Sequence, residues 1–539
     1  MIRLSYHFTT LRPKLPRQFR LLVPLLGLLL LSPYRSVAED PSGASEETKK
    51  PNVLMICIDD LNDWIEPLGG HSQVKTPAIN SLATRGLNFR NAHCQAPLCN
   101  PSRTSLMLSL RPSTTGIYGL APWFRSMPEH LNTKSLPQHF ADAGYETYTG
   151  GKVYHNSQGR NPPAEAEPEF FHWGPRGGPG VMPSKKIVPP TPAGNNRLVD
   201  WGVFDHKDSQ KGDWIVADWA EQTLEEMPED KPFFMAVGFF LPHVPCHVTQ
   251  KWWDMYPEET LQMPAMQKDD RADCSPFSWY LHWNLPEPRL SWLEHYGEHK
   301  NLVRGYLASI SFMDSQVARV LTTLENSPHA DNTIICLWSD HGFHLGEKEM
   351  TSKNTLWERS THVPLIFAGP GIKPRSSEQP VELIDVYPTL ADLAGLSAPE
   401  SIDGISLVPL IRDPDAKVPR PAITEHNPGN ASVRDERYRL IHYADGSEEL
   451  YDLKKDPNEF RNRIHDESLV DIASRLRQHI PKDPAPLAVG SKHRTLDERE
   501  DGWYWEDHKI NPSEPPMGVG STKIEDLPRH AGAINAGVN

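Results

Sequence analysis

Apolar runs that break off in charged residues organise this chain. Asn52 to Ile58 (NVLMICI) is almost wholly apolar and stops at Asp59-Asp60, the pattern of a strand buried on both faces. Phe233 to Phe240 (FFMAVGFF) and Thr333 to Trp338 (TIICLW) repeat the pattern, the second ending in Ser339-Asp340-His341, and Val363 to Ala368 is a further strand. Helical segments are predicted from Thr76 to Arg85, started by Pro77 and stopped by Gly86, and from Ser102 to Leu110, Leu136 to Ala143, Trp214 to Met227 and Gly305 to Leu324. Helices alternating with buried strands at this spacing predict an α/β sandwich around a large, mixed but mostly parallel sheet. Ligands of such sheets bind beyond the carboxyl ends of the strands, and here polar clusters follow those ends directly.

A smaller unit is expected from about Pro419. Tyr438 to Tyr443 and Glu449 to Leu453 read as an antiparallel hairpin, and Asp466 to Ile480 as a helix covering it. The expected organisation is a signal peptide over 1–38, a main domain over 45–418, a subdomain with an antiparallel sheet and helix over 419–484, and an irregular tail over 485–539. Trp503 and Trp505 suggest that part of this tail packs. The Pro- and Gly-rich stretch 159–196 and the Trp-rich stretch 246–299 read as long loops, which in compact domains are more often functional than idle.

At the amino end, a basic region reaching Arg20 precedes the apolar run Leu21 to Leu31 and the small-x-small site Ser36-Val37-Ala38, an export signal. The run is too short to span a bilayer in a folded protein, so no stable membrane insertion is expected after cleavage. An uncleaved anchor starting near Pro16 is the alternative, and either reading puts the body outside the cytosol. A single usable glycosylation sequon, Asn430-Ala431-Ser432, favours a bacterial periplasmic or secreted protein. Formal net charge is -15, and becomes -21 without the six cations of residues 1–38, which argues against a nucleic-acid binder. Six cysteines in 539 residues make no disulfide scaffold. Cys57 and Cys336 read as buried thiols, whereas Cys246 and Cys274 are free to pair.

Cys99-Asn100-Pro101-Ser102-Arg103 opens a helix, where unpaired N–H groups favour negative charge and a thiolate. Arg103, four residues on, returns to nearly the same face. Asp59-Asp60 and Asp340-His341 lie nearly 300 residues apart, yet each follows a core strand. Neighbouring parallel strands would gather the three carboxylates, whose repulsion calls for a divalent cation, and flexible oxygen donors suit calcium better than magnesium. An acidic pair after a strand is equally an ordinary turn or helix cap. Lys152 and His155 in Gly151-Lys152-Val153-Tyr154-His155, His243 in Pro242-His243-Val244-Pro245, and Lys353 lie after successive strands and suit proton exchange and anion binding. His344 and Trp357 are candidate substrate contacts, with Trp252 and Trp279 as further aromatic faces for a sugar.

The pentapeptide at Cys99, followed by Thr104 and Gly116-Ile117-Tyr118-Gly119, resembles the C-x-P-S-R signature of the type I sulfatases. The GKxxH and PHxP elements resemble that family too, and the likeness runs from about Pro51 to Leu453. It implies an alkaline phosphatase-like fold. It implies further that a formylglycine-generating enzyme oxidises Cys99 to formylglycine (3-oxoalanine), whose hydrate attacks sulfur and then expels sulfate by elimination. Asp59, Asp60, Asp340 and the modified Cys99 would bind one Ca2+. Lys152 would hold the sulfate, His155 would take the diol proton, His243 and Lys353 would serve the leaving group, and Arg103 would offset charge.

Calcium sulfatases often carry Asn where His341 stands. With PFFMAVGFFLPHVP, SDHGFHLGE and THVPLIFAGPG, that histidine makes the chain similar to the iduronate-2-sulfatase branch. His341 would then either bind the ion weakly or hydrogen-bond the diol. The implied substrate is a sulfated carbohydrate, such as a uronate 2-O-sulfate in a glycosaminoglycan or algal polysaccharide. The alternatives are a metal-dependent phosphodiesterase or phosphonate hydrolase of the same superfamily, and a catalytically silent carbohydrate-binding protein.

Overall fold

A computed structural model describes residues 49–516 apart from 157, 192, 193 and 284, so the expected signal peptide lies outside the described residues. The apolar runs form the predicted sheet. Its strands are β1 (Asn52–Ile58), β2 (Leu87–Phe89), β3 (Glu146–Gly151), β4 (His172–Trp173), β5 (Phe233–Phe239), β6 (Thr333–Ser339), β7 (Leu365–Ala368) and β8 (Arg375–Ser377), in the order β8-β2-β7-β6-β1-β5-β3-β4. Neighbours pair in parallel except at β7, which is antiparallel to β2 and β6. Ile58 pairs with both Phe239 and Ser339, so three chains leave the sheet at one level.

Every residue of β1 is buried, because its two faces feed two cores. Leu54, Ile56 and Ile58 pack with α1 (Pro77–Arg85), α3 (Gly212–Glu226) and the long α4 (His299–Glu325). Val53, Met55 and Cys57 face the opposite layer, with α2 (Cys99–Leu108) and α5 (Val386–Leu393). This is the α/β sandwich around a mostly parallel sheet that the apolar pattern predicts. Among the described residues no helix is long and apolar enough to cross a membrane.

The carboxy-terminal part carries the expected antiparallel sheet: β9 (Ala422–Glu425), β10 (Ala431–Arg434), β11 (Tyr438–His442) and β12 (Glu448–Asp452), each paired with the next. Ala473 and Leu476 of α6 (Val470–Arg477) cover Val433, Leu440 and Leu450 on one face. The opposite face packs Ile441, Tyr443 and Tyr451 on Phe277, Leu281 and Trp357.

Three expectations are corrected. The tail after 484 is not irregular throughout: β13 (Leu496–Arg499), β14 (Gly502–Trp505) and β15 (His508–Lys509) form a small sheet, and Leu496 and Trp505 join the cluster around Phe277. Phe277 itself is more than 200 residues away, so no local pattern announces this packing. Cys246 and Cys274 are unpaired: Cys246 Sγ faces the Pro242 carbonyl at 3.3 Å, and Cys274 Sγ lies 3.7 Å from Tyr451 Oη. Asn430 is only 2% exposed and hydrogen-bonds the Pro428 carbonyl, so the folded chain does not present its sequon.

Candidate active site

The carboxyl ends of β6, β1, β5 and β3, four neighbours in the sheet, lead in turn to Asp340-His341, Asp59-Asp60, Pro242-His243 and Lys152-His155. Gly151 makes the last exit feasible. It has φ +77, and a Cβ there would lie 1.8 Å from the Gly238 carbonyl oxygen; the chain turns so that the Lys152 N–H donates to that oxygen at 3.0 Å. Lys353 arrives from elsewhere, after the strand Thr351–Ser352 that pairs with His344–Leu345. Ser352 (φ 84) and Asn354 (φ 72) on either side of it are left-handed, a backbone strain of the kind that collects at functional sites.

Cys99 is the first residue of α2 and is 2% exposed. Its Sγ lies 3.3 Å from His341 Nε2, 3.4 Å from Lys353 Nζ and 3.8 Å from Lys152 Nζ. Burial opposes ionisation of the thiol, but Lys152, Lys353 and His341 outweigh it and hold Cys99 well below the ordinary thiol range. Asp59 pairs with Lys152 and accepts from Arg103 Nη2 at 3.1 Å; against burial, Lys152 holds its carboxyl below the usual range. Asp340 Oδ1 accepts the N–H groups of Asp60 (3.1 Å) and His341 (3.0 Å), and burial, opposed by Arg103, pushes its pKa up to about 6. His341 is brought to about 8 because Asp340 outweighs burial.

Asp60 (φ 61) accepts from Lys353 Nζ at 2.5 Å through Oδ1, and its backbone carbonyl accepts from Tyr306 Oη of α4 at 2.6 Å. Asp60 Oδ2 is buried without a hydrogen-bond partner and lies 3.9 Å from His243 Nε2. Two overlapping donor sets, Asp59-Asp60-Cys99-His243 and Asp59-Cys99-Asp340-His341, each fall within 4.8 Å. Hard carboxylate oxygens and one orphaned buried oxygen fit a divalent cation. The three acids, Cys99, Lys152, Lys353, His243 and His341 thus meet at one point; burial keeps the His155 imidazole below its ordinary pKa, and its side chain hydrogen-bonds that of Cys99.

The sulfatase family profile matches residues 51–396 of this sequence. The chain belongs to the sulfatase family. A second profile, N-sulphoglucosamine sulphohydrolase, C-terminal, matches residues 346–484. A sulfatase of Formosa agariphila is 39% identical over 87% of this chain and 93% of its own length. Human iduronate 2-sulfatase is 32% identical over 69% of this chain and 74% of its own length. A solved 2-O GAG sulfatase superposes with a TM-score of 0.62 at 26% identity, covering 80% of this chain and 91% of that one. The protein is therefore a sulfuric ester hydrolase.

In this sulfatase the Arg103 guanidinium is bonded to groups of the chain itself. At 1% exposure its Nε donates to Asp340 Oδ2 (2.8 Å), Nη2 to Asp59, and Nη1 to the carbonyls of Lys152 (2.5 Å) and Val153 (3.0 Å). It is a strut joining three of the four strand exits. Sequence reasoning missed Asn100, whose Nδ2 donates to the Gly119 and Pro122 carbonyls at 3.0 Å and pins the start of α2. The Gly116–Gly119 element was its only signal. Asp213 was also missed: it accepts the N–H groups of Phe240 (2.6 Å) and Leu241 (2.9 Å), steadying the loop that carries His243.

His344 and Trp357 do not reach the catalytic cluster. His344 is fully buried, facing Thr355 Oγ1 at 2.9 Å and the Glu347 carbonyl at 3.2 Å. Trp357 is 1% exposed, donates to Glu449 Oε2 at 2.8 Å and packs in the cluster around Phe277, so it presents no face to a sugar. Of the other tryptophans, Trp279 lies under Arg271, and Trp252 donates to Asp208 Oδ2 at 3.0 Å. Trp357→Ala is expected to cost about 3–5 kcal/mol of stability with KM unchanged in the enzyme that folds. Urea denaturation beside initial-rate kinetics checks this; a raised KM at full stability would restore the substrate contact.

Proposed function

We propose that this sulfatase hydrolyses a sulfate ester on a sugar, with Cys99 oxidised to formylglycine beside one calcium ion. The observation that carries the reading is the position of Cys99 Sγ, within 3.8 Å of Lys152, Lys353 and His341 and in donor range of Asp59, Asp60 and Asp340. Asp59, Asp60 and Asp340 would hold the ion, with His341 beside them. When present, the ion and the oxidised side chain supply a Lewis acid and a hydroxyl nucleophile.

The chain's own residues do the rest. The Lys152 and Lys353 ammonium groups flank the nucleophile and offset the charge of a sulfate bound against it. His155 stays neutral through burial, with an unpartnered Nδ1, and can take a proton from the modified Cys99 side chain. His243 Nδ1 lies 2.5 Å from the Val244 carbonyl, which orients the ring and directs Nε2 towards Asp60. With its side chain 21% exposed, it can protonate the departing alcohol. Relatives named iduronate 2-sulfatase and delta 4,5-hexuronate-2-O-sulfatase favour a uronate 2-O-sulfate as substrate. Export and maturation by a formylglycine-generating enzyme complete the reading.

Mass measurement of the Cys99 peptide from the native producer, with assays before and after chelation, tests it. An aldehyde at Cys99 and activity lost on chelation but restored by Ca2+ are expected. An unmodified thiol in active enzyme overturns the nucleophile, and full activity after exhaustive chelation overturns the ion. Phosphodiester hydrolysis exceeding aryl sulfate hydrolysis would favour the phosphonate hydrolase alternative.

A further inference from the structure

Among the described residues six arginines are buried: Arg103, Arg125, Arg271, Arg289, Arg434 and Arg439. Four have a carboxylate within ion-pair distance, namely Asp59 and Asp340 for Arg103, Glu169 for Arg125, and Glu358 for Arg434 and Arg439. Arg271 and Arg289, each 5% exposed, have none. Carboxylates act on them only from beyond ion-pair distance, Glu449 and Glu349 on Arg271 and Glu287 on Arg289, so their buried N–H groups have no charged acceptor in contact.

Arg271 Nη1 lies 2.7 Å from His282 Nε2, its Nη2 donates to Ser278 Oγ at 2.7 Å, and the group sits 3.3 Å from the centroid of Trp279. Arginine can only donate, so His282 Nε2 accepts and the ring hydrogen is on Nδ1. That nitrogen is buried without an acceptor, as are Arg271 Nε and Arg289 Nη1. Arg289 Nη2 donates to the carbonyls of His282 (2.5 Å) and Trp283 (2.7 Å), so both guanidinium groups bond to His282. Burial, then Arg271, bring Arg289 down to about 9, and Glu287 opposes this from beyond ion-pair distance. The segment lies against the sulfate site: Thr351 Oγ1, two residues before Lys353, donates to the Pro288 carbonyl at 2.6 Å.

We propose that Arg289, with Arg271 and His282, forms an anion subsite beside Lys353 that takes a second anionic substituent of the sugar, a uronate carboxylate or a second sulfate. This rests on the sulfated-sugar reading. Buried donors to a charged oxygen give a strong, direction-specific contact, and such a site discriminates against substrates that lack it.

The test compares the intact enzyme with its Arg289→Met and Arg289→Lys variants on 4-nitrophenyl sulfate, a uronate 2-sulfate, a neutral hexose 2-sulfate and a neutral hexose disulfate. In Arg289→Met the preference for the anionic sugar over 4-nitrophenyl sulfate is expected to fall about 10-fold or more, and Arg289→Lys to recover part of it. Whichever anionic substrate shows the fall identifies the source of the charge. Calorimetry with sodium glucuronate and with inorganic sulfate reads the subsite without turnover. Binding to the intact enzyme that Arg289→Met abolishes supports the subsite even where no sugar sulfate is cleaved, an outcome that rejects the sulfated-sugar reading alone. Equal losses on all four substrates, or anion binding unchanged in Arg289→Met, overturn the subsite. So does a Glu287→Gln variant that alone reproduces the loss of preference, since Glu287 is then the working partner of Arg289.

Discussion

A Cys99→Ala enzyme is expected to lose sulfate-ester turnover by about 10⁴-fold or more, the scale seen when a catalytic nucleophile is removed. Its fold should survive, because Cys99 is small and its sulfur touches two lysines and a histidine rather than the apolar core. Lys152 and Lys353 keep their pairs with Asp59 and Asp60, so no charge is stranded by the change. A melting temperature within about 2 °C of the parent is expected for so local a substitution. Steady-state kinetics on an aryl sulfate and scanning calorimetry read the two effects separately. Turnover above roughly 1% of the parent rate would end the nucleophile assignment.

Arg103→Ala is expected to act in the opposite proportion, losing stability as well as rate. The substitution takes the guanidinium from Asp340 and leaves Asp59 with Lys152 alone, both acids being fully buried, and the Lys152 and Val153 carbonyls lose their donor. Removing one partner from a buried ion-pair network costs about 3–5 kcal/mol. Arg103→Lys should recover little, since one ammonium cannot span two carboxylates and two carbonyls as a planar fork does. Urea denaturation of both variants measures the loss. Unchanged stability with only a raised KM would make Arg103 a substrate clamp, the role its place in the pentapeptide suggests.

These two variants separate what local pattern can and cannot show. Cys99 was legible because its neighbours form a specific motif at a helix start. The helix itself begins at Cys99 rather than Ser102, because Cys99-Asn100-Pro101 carries no apolar period and is held by Asn100 on the Gly119 and Pro122 carbonyls. Likewise α4 starts at His299, six residues before its predicted start at Gly305. Trp357 shows the reverse failure: a tryptophan in a variable loop suggests a sugar platform, yet packing around Phe277 and a bond to Glu449 consume it.

The amino-acid order alone determined the buried strands, the acids that end them and the motif at Cys99. Seven-residue apolar runs have few other ways to be buried, and the chemistry-bearing residues follow them at once. Only the tertiary structure decided which strand ends are neighbours, that Arg103 is consumed as a strut, and that Arg271 and Arg289 are buried with no carboxylate within ion-pair distance. Those facts depend on contacts between segments far apart in the chain, and a counter-charge absent across such a contact leaves no trace in composition or periodicity.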